Sequence, residues 1–139
     1  MTIENFIQEF NKRVDWNLDI LNKYNINLSN DNSANEIIKD YLGLTKINPE
    51  DYDIDNAELY EYPIENGKQT FELQAYSITE YYDSYFWVRF GEEEDEYKEN
   101  KINTIKKELT SRYNEVRNKL LILENEKNEL DSVLKLLND

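Results

Sequence analysis

The stretch ELYEYPIENGKQTFELQAY, residues 58–76, decides the fold predicted for this chain. At its centre stands Asn66-Gly67, a dipeptide typical of two-residue β-hairpin turns because both residues tolerate a positive φ. Residues 57–65 and 68–78, on either side of the turn, are therefore predicted to pair as antiparallel strands. Pro63 lacks a backbone N–H and indicates that its strand lies at an edge of the sheet.

Residues 84–90 form a third predicted strand, since they are rich in aromatic and β-branched side chains. Alternation assigns these side chains to opposite faces. The two sets are Tyr85, Trp87 and Arg89 on one face, and Phe86, Val88 and Phe90 on the other. A single helical turn is predicted at residues 48–51, before the first strand, with Pro49 at its first position.

Helical periodicity precedes the predicted sheet. Residues 3–25 carry apolar side chains at alternating three- and four-residue steps, with Thr2 available as an N-cap, and predict one amphipathic helix. A short second helix follows a polar loop. Ser33 and Glu36 are spaced as a capping box at its start, and Gly43 stands where a C′ glycine would end it.

The last third of the chain predicts one long helix of coiled-coil type, from about Glu93 to Leu137. A seven-residue repeat places apolar residues at nine of eleven seam positions. The seam consists of Ile102, Lys106, Leu109, Tyr113, Val116, Leu120, Leu123, Lys127, Leu130, Leu134 and Leu137. Two packings compete: the helix folds back on the N-terminal helix and covers one face of the sheet, or residues 102–137 form a parallel homodimer. A helix of about 60 Å is too long for this domain to cover, so part of it is expected to project.

These patterns together predict an α+β fold for one domain of 139 residues. Its order is an N-terminal amphipathic helix, a short second helix, a three-stranded antiparallel β-sheet and a long C-terminal coiled-coil-type helix. Residues 1–45 are the helical part, residues 46–91 an acidic and aromatic-rich β-meander, and residues 92–139 the long helix.

Negative charge is concentrated in the middle of the chain. The formal net charge is -14, and residues 50–99 hold 16 acidic against 3 basic residues, together with eight of the 11 tyrosines. An aromatic content of 13% is too high for a disordered acidic tail. We therefore expect this segment to fold and to present its charges on a surface.

The composition argues against catalysis. There is no His and no Cys, so the commonest general base near neutral pH and all thiol chemistry are missing. The three glycines are isolated, which excludes a phosphate-binding loop. Paired carboxylates serve glycosidases, but those enzymes need a cleft in a larger scaffold. We expect no enzymatic activity and no cofactor.

One segment partly resembles a calcium loop. Asp51, Asp53 and Asp55 supply its first three ligand positions, but Asn56 replaces the glycine of position six and Tyr62 replaces the closing glutamate of position twelve. A solvated loop is therefore expected here, and a divalent cation would bind it only weakly.

The predicted partner-binding surface combines carboxylates with aromatic rings. Its residues are Tyr81, Tyr82, Asp83, Tyr85, Glu92, Glu93, Glu94, Asp95, Glu96 and Tyr97. Five consecutive carboxylates exceed what a helix N-terminus needs and repel one another, which indicates a basic partner. Exposed tyrosines offer rigid contacts and stack on guanidinium groups. The structural alternative makes the acids a solvated first helical turn and the rings part of the core.

Such a surface suits the Arg- and Lys-rich grooves that normally hold nucleic acid. In composition and size the chain resembles the small acidic inhibitors that phages and mobile elements direct against host nucleases, restriction enzymes and CRISPR effectors. That resemblance implies a non-catalytic inhibitor that mimics nucleic acid and binds a basic nucleic-acid-binding enzyme. Direct binding of nucleic acid is not expected, because the acidic face repels phosphates. The alternatives are an immunity protein that neutralises a basic toxin, and a coiled-coil adaptor.

A cytoplasmic location without membrane contact is expected. No apolar run approaches the roughly 18 residues of a membrane span, and the sequence MTIENFIQEF lacks the order of a secretory signal.

Overall fold

The computed structural model describes all 139 residues and has the predicted α+β fold. Its elements are α1 (Ile3–Lys23), α2 (Ser33–Tyr41), two single-turn 3-10 helices (Pro49–Asp51 and Ile54–Asn56), β1 (Glu58–Glu61), β2 (Gln69–Tyr76), β3 (Asp83–Phe90) and α3 (Glu94–Asn138). None of the helices is long and apolar enough to cross a membrane.

The hairpin forms where its turn residues predict it. Asn66 and Gly67 have φ values of 52° and 74°, as a turn with two left-handed residues requires. The strands are antiparallel in the order β1-β2-β3, so Pro63 follows an edge strand as predicted. β1 is four residues long, shorter than expected, because the chain leaves the ladder before this proline.

The register of the sheet assigns each side chain to one of two faces. On the inner face Leu73 lies between Leu59 and Phe86, and the next row places Phe71 beside Val88. On the outer face the intervening residues point away from these rows. The predicted alternation along β3 is confirmed, since Val88 is buried whereas Tyr85 and Trp87 are exposed.

Helix α1 covers the inner face of the sheet. Thr2 caps it by accepting a hydrogen bond from the Asn5 backbone N–H (3.0 Å). Its apolar stripe packs on the sheet, where Phe6 and Leu73 are both fully buried in one core cluster, and Phe10 meets the Phe86 ring edge to face at 5.2 Å. The packing of α1 on the sheet forms the first of two core clusters.

Two details of α2 differ from the prediction. The N-cap is Asn32, whose side chain accepts from the Asn35 backbone N–H (2.9 Å), so Ser33 lies inside the helix and not at its cap. Gly43 follows the C-cap residue Leu42, at the predicted C′ position, but does not adopt a positive φ. The chain leaves α2 through an extended Leu42 instead, and a carbonyl at Gly43 accepts from the Asn17 side chain (2.9 Å).

Helix α3 is used in two different ways along its length. Near its start Ile105 is buried in a second core cluster with Ile38 of α2, and Leu109 packs against that cluster. From residue 110 onward every residue is exposed, which leaves about 40 Å of helix beyond the rest of the chain. The sheet is covered by α1 and not by α3, so the predicted back-folding occurs only over the first turns, and the expected projection is observed.

Leu73 provides a test of this core. We expect Leu73→Ala to lower the free energy of unfolding by about 2–5 kcal/mol, because the substitution leaves a cavity between α1 and the sheet. The control Ile64→Ala removes a side chain that is 66% exposed and should change stability by less than about 0.5 kcal/mol. Urea unfolding followed by circular dichroism measures both, and equal effects would contradict the assignment of the two faces.

Candidate functional site

The outer face of the sheet is not covered by any helix, and we call it the open face. Cross-strand pairing arranges its side chains in three rows. The rows are Tyr62, Thr70 and Arg89; Tyr60, Glu72 and Trp87; and Glu58, Gln74 and Tyr85. Four of these side chains are large, aromatic and between 42% and 55% exposed. A contiguous set of exposed rings marks an interaction surface more often than scattered ones do.

Glu72 lies at the centre of the open face and is only 7% exposed. Its carboxylate accepts hydrogen bonds from the Tyr62 hydroxyl (3.2 Å) and the Gln74 amide (2.5 Å). No Lys or Arg lies within ion-pair distance of it. A buried carboxylate without a cation is costly, and its cross-strand neighbours Tyr60 and Trp87 are rings that attract cations.

Tyr60, in β1, and Tyr62, just after β1, keep their hydroxyl protons near neutral pH and remain hydrogen-bond donors. A hydrogen bond to Glu58 raises the pKa of the Tyr60 hydroxyl. Partial burial and the neighbouring Glu72 charge raise the pKa of Tyr62. Both phenols are therefore neutral where a partner would bind, and they do not add negative charge of their own.

None of the carboxylates between residues 50 and 83 takes part in an ion pair. These are Glu50, Asp51, Asp53, Asp55, Glu58, Glu61, Glu65, Glu72, Glu80 and Asp83. Their hydrogen-bond donors are neutral side chains: Asn56 donates to Asp53 (2.9 Å) and Gln69 donates to Glu61. The negative charge of this part of the chain is thus left uncompensated.

Several of these acids gather at one end of the sheet, which we call the acidic end. The 3-10 segment is fastened there by hydrogen bonds from the Asp53 N–H to the Tyr76 carbonyl (2.9 Å) and from the Ile78 N–H to the Asp51 carbonyl (3.0 Å). The turn between β2 and β3 lies beside it. Asp55, Glu58, Glu80 and Asp83 are exposed acids of this end.

The β2–β3 turn presents Tyr81 in a strained conformation. Its φ is 61° and its side chain is 75% exposed. The turn is closed by the Tyr81 N–H donating to the Ser77 carbonyl and the Ser77 N–H donating to the Tyr82 carbonyl, both at 2.9 Å. A bulky residue in the left-handed region is rare, and such strain tends to occur at functional positions.

The predicted partner-binding residues fall into two groups at opposite ends of β3. Tyr81, Tyr82, Asp83 and Tyr85 lie at the acidic end or on the open face. Residues 92–97 lie past the other end, where Gly91 approaches the Gly67 carbonyl of the hairpin turn. An eight-residue strand separates the groups by roughly 25 Å, so the structure does not bring them together.

The acids of residues 92–96 are largely engaged within the chain. Glu92 has a side chain that is only 8% exposed and faces Arg89 (3.6 Å). Glu94 pairs with Lys98 (2.7 Å) and Glu96 with Lys68. Glu93 and Asp95 are exposed and unpaired.

Tyr97 also serves the fold. Its hydroxyl donates to the Asn17 side chain (3.0 Å), and its ring lies 5.3 Å from that of Trp16 on α1. Burial raises the pKa of the Tyr97 hydroxyl. This contact joins α1 to the start of α3 and leaves the tyrosine little surface for a partner.

A groove of about 920 Å³ runs between α1, α3 and the free edge of β3. Its charged groups are mostly neutralised inside the chain. Arg13 bonds Glu9 (2.5 Å) and the Arg89 carbonyl (3.1 Å), while Arg89 faces Glu92. Burial lowers the pKa of Lys101, the remaining cation of the lining. The lining holds three cations and two carboxylates, so the groove has no surplus of negative charge.

The candidate calcium loop does not form a ligand cluster. No group of three or more His, Cys, Asp or Glu side chains is placed to hold a metal ion. Asp53 instead accepts from the Asn56 amide, and its backbone joins the 3-10 segment to β2.

Four residues of the open face were not among the predicted partner-binding residues: Tyr60, Tyr62, Glu72 and Trp87. Their signal was present, because the hairpin turn fixes a register and alternation then places these residues on one side. Acids and rings are denser after residue 80, and the prediction rested on that local density.

The open face, the acidic end and the projecting part of α3 are the features from which a function can be inferred. Comparison with protein-family models, with curated proteins and with solved structures found no match for this chain.

Proposed function

We propose that this chain is a non-catalytic inhibitor that binds a basic protein through the open face and the acidic end. The partner class that fits best is a nucleic-acid-binding enzyme, such as a host defence nuclease of the restriction or CRISPR type, with the inhibitor encoded by a phage or mobile element. The ten unpaired carboxylates of residues 50–83 are the observation that carries the proposal.

The contrast between the two parts of the chain supports this assignment. Outside residues 50–83, eight of the twenty acids have Lys or Arg partners, among them Glu9, Asp19 and Glu115. Around the sheet the same kind of side chain has only neutral donors. Unpaired like charges repel and destabilise a folded chain, so a partner that supplies Lys and Arg side chains would relieve a cost that the free protein bears.

The central row of the open face supplies the fixed contacts of the proposed interface. A guanidinium group placed over Trp87 or Tyr60 would meet a ring face and the carboxylate of Glu72 at the same position. Aromatic residues also dominate the binding energy of protein interfaces. The carboxylates then steer association, and the rings hold the partner once it is bound.

Capture of partners with the tagged chain from a bacterial lysate tests the class of partner. We expect a basic nucleic-acid-binding protein that is released both by 1 M NaCl and by excess duplex DNA or RNA. Salt at that concentration shortens the Debye length to about 3 Å, and nucleic acid competes for the same groove. A specific partner that resists both treatments would overturn nucleic-acid mimicry and would fit an immunity or adaptor interface instead.

Charge removal at the acidic end tests which surface binds. The variant Asp55→Asn, Glu58→Gln, Glu80→Gln, Asp83→Asn should weaken binding of the captured partner by about tenfold or more, because each exposed ion pair contributes about 0.2–1 kcal/mol. The control Glu36→Gln, Asp40→Asn, Glu99→Gln, Glu129→Gln removes the same charge from helical surfaces and should change affinity less than threefold. Calorimetric titration measures the affinity of both variants for the partner. Equal losses of affinity would show that only the net charge of the chain matters for binding.

Trp87 tests the role of the rings. We expect Trp87→Ala to weaken binding by about 2 kcal/mol or more, as at an interface hot spot, with little change in thermal stability because the side chain is 55% exposed. Tyr24→Ala removes a similarly exposed ring at the end of α1 and should leave affinity unchanged. Unaltered binding by the Trp87 variant would exclude the open face from the interface.

A further inference from the structure

The projecting part of α3 carries an apolar seam that nothing in the chain covers. Tyr113, Leu120, Leu123 and Leu130 are each between 58% and 65% exposed. Ile102 and Leu109, at the start of the repeat, pack against the second core cluster. The free seam therefore begins at Tyr113. A single helix of this length gains little stability on its own in water, so a partner helix is needed to bury the seam.

The charges that flank the seam identify the partner. With Tyr113, Leu120 and Lys127 at a positions and Val116, Leu123 and Leu130 at d positions, the flanking residues are the g and e positions. On the first half they are basic: Arg112, Arg117 and Lys119. On the second half they are acidic: Glu124, Glu126 and Asp131. The two halves are complementary to each other, so a second copy running in the opposite direction matches this helix.

A parallel pair does not match. In a parallel coiled coil each g position faces the e position five residues later on the other chain. Arg112 would then face Arg117, and Glu126 would face Asp131. Only Lys119 would face an opposite charge, at Glu124, so repulsive contacts outnumber attractive ones two to one.

An antiparallel pair centred between Leu121 and Ile122 removes these repulsions. In that register Leu120 packs against Leu123 of the other copy, and Tyr113 against Leu130. The two-fold axis repeats each layer. At the flanks Lys119 faces Glu126 and Arg117 faces Glu124, again twice each.

Neighbouring registers are less favourable. A shift of one heptad in either direction brings identical charged residues together across the axis, and these repel. One shift pairs Glu124 with Glu124 and Glu126 with Glu126. The other shift pairs Arg117 with Arg117 and Lys119 with Lys119. The central register is thus the one in which flanking charges attract throughout. Lys119 also contacts Glu115 of its own helix (3.0 Å), and its exposed ammonium group leaves donors for the second chain.

We propose that two copies of this chain associate through residues 113–130 of α3 as an antiparallel two-stranded coiled coil. This pairing differs from the parallel homodimer that leucine at d positions favours. It is independent of the proposed inhibitory function, because the seam lies outside the open face and the acidic end.

Disulfide trapping tests the direction of pairing. The chain has no cysteine, so Tyr113→Cys and Leu130→Cys proteins can be mixed in a glutathione redox buffer and analysed by mass. The expected product is the mixed disulfide, at least tenfold in excess over either symmetric disulfide. Predominantly symmetric disulfides would establish a parallel pair and overturn the proposal. The proposal would also be overturned if light scattering of the unmutated chain gave the mass of a monomer throughout a series of 50-fold dilutions that starts at about 100 μM.

Charge reversal provides a second, independent test. Arg117→Glu with Lys119→Glu should weaken dimerisation at least tenfold, whereas the same pair of changes in a parallel coil creates as many attractions as it removes. Adding Glu124→Lys and Glu126→Lys should restore dimerisation to within threefold. The control Lys107→Glu with Lys135→Glu changes the same charge on the outer side of the helix and should have no effect.

Analytical ultracentrifugation measures the association, and circular dichroism establishes that each variant keeps its helix. Failure of the four-residue variant to recover, with helix content intact, would overturn the assigned register. A mass of four chains would place Leu121 and Ile122 in the interface as well and would overturn the two-stranded arrangement.

Discussion

The register of one β-hairpin decides which side chains of the sheet face the core and which face a partner. Because side chains alternate along a strand, a slip of one residue between β1 and β2 would exchange the two faces. Leu73, now buried beneath α1, would then point to solvent, and Glu72 would point into the core. The turn at Asn66-Gly67 excludes that exchange, and α1 can cover the sheet only because the apolar rows are correctly aligned.

No carboxylate of residues 50–83 takes part in an ion pair, whereas eight carboxylates elsewhere in the chain do. Residues 92–98 fasten the start of α3 to the hairpin and to α1 through ion pairs, Glu96 with Lys68 and Lys98 with Asp19. The acids around the sheet have no such task. Carboxylates that look alike in the sequence therefore differ in the structure: some are engaged in ion pairs within the chain, and others have no ion-pair partner. Only the carboxylates without an ion-pair partner are available to another protein.

Local signals made most of the fold predictable. The hairpin dipeptide, the proline of the first 3-10 turn and the heptads of α3 each act over a few residues, and the structure has each element where these signals place it. The predicted N-cap of α2 was wrong by one residue, because Asn32 and Ser33 are both favourable N-cap residues. The choice between them depends on Asn35, whose backbone N–H donates to Asn32 and whose side chain donates to the Asn30 carbonyl. The candidate site was less predictable. Neighbours in sequence, such as Tyr85 and Glu92, end up at opposite ends of a strand, whereas Tyr60, Glu72 and Trp87 meet only through strand pairing.

The length of α3 that extends beyond the core also determines how many target molecules a dimer of this chain would bind. In an antiparallel pair centred near residue 121, the compact parts of the two copies would sit about 36 Å apart, since some 12 residues of exposed helix separate each from the axis. Two binding surfaces linked by a rigid rod act on one target only if its sites have the same spacing. A small enzyme with a single groove does not have two such sites, so a dimer of this chain would bridge two separate target molecules. If the target is itself dimeric, mixing it with this dimer would produce larger complexes.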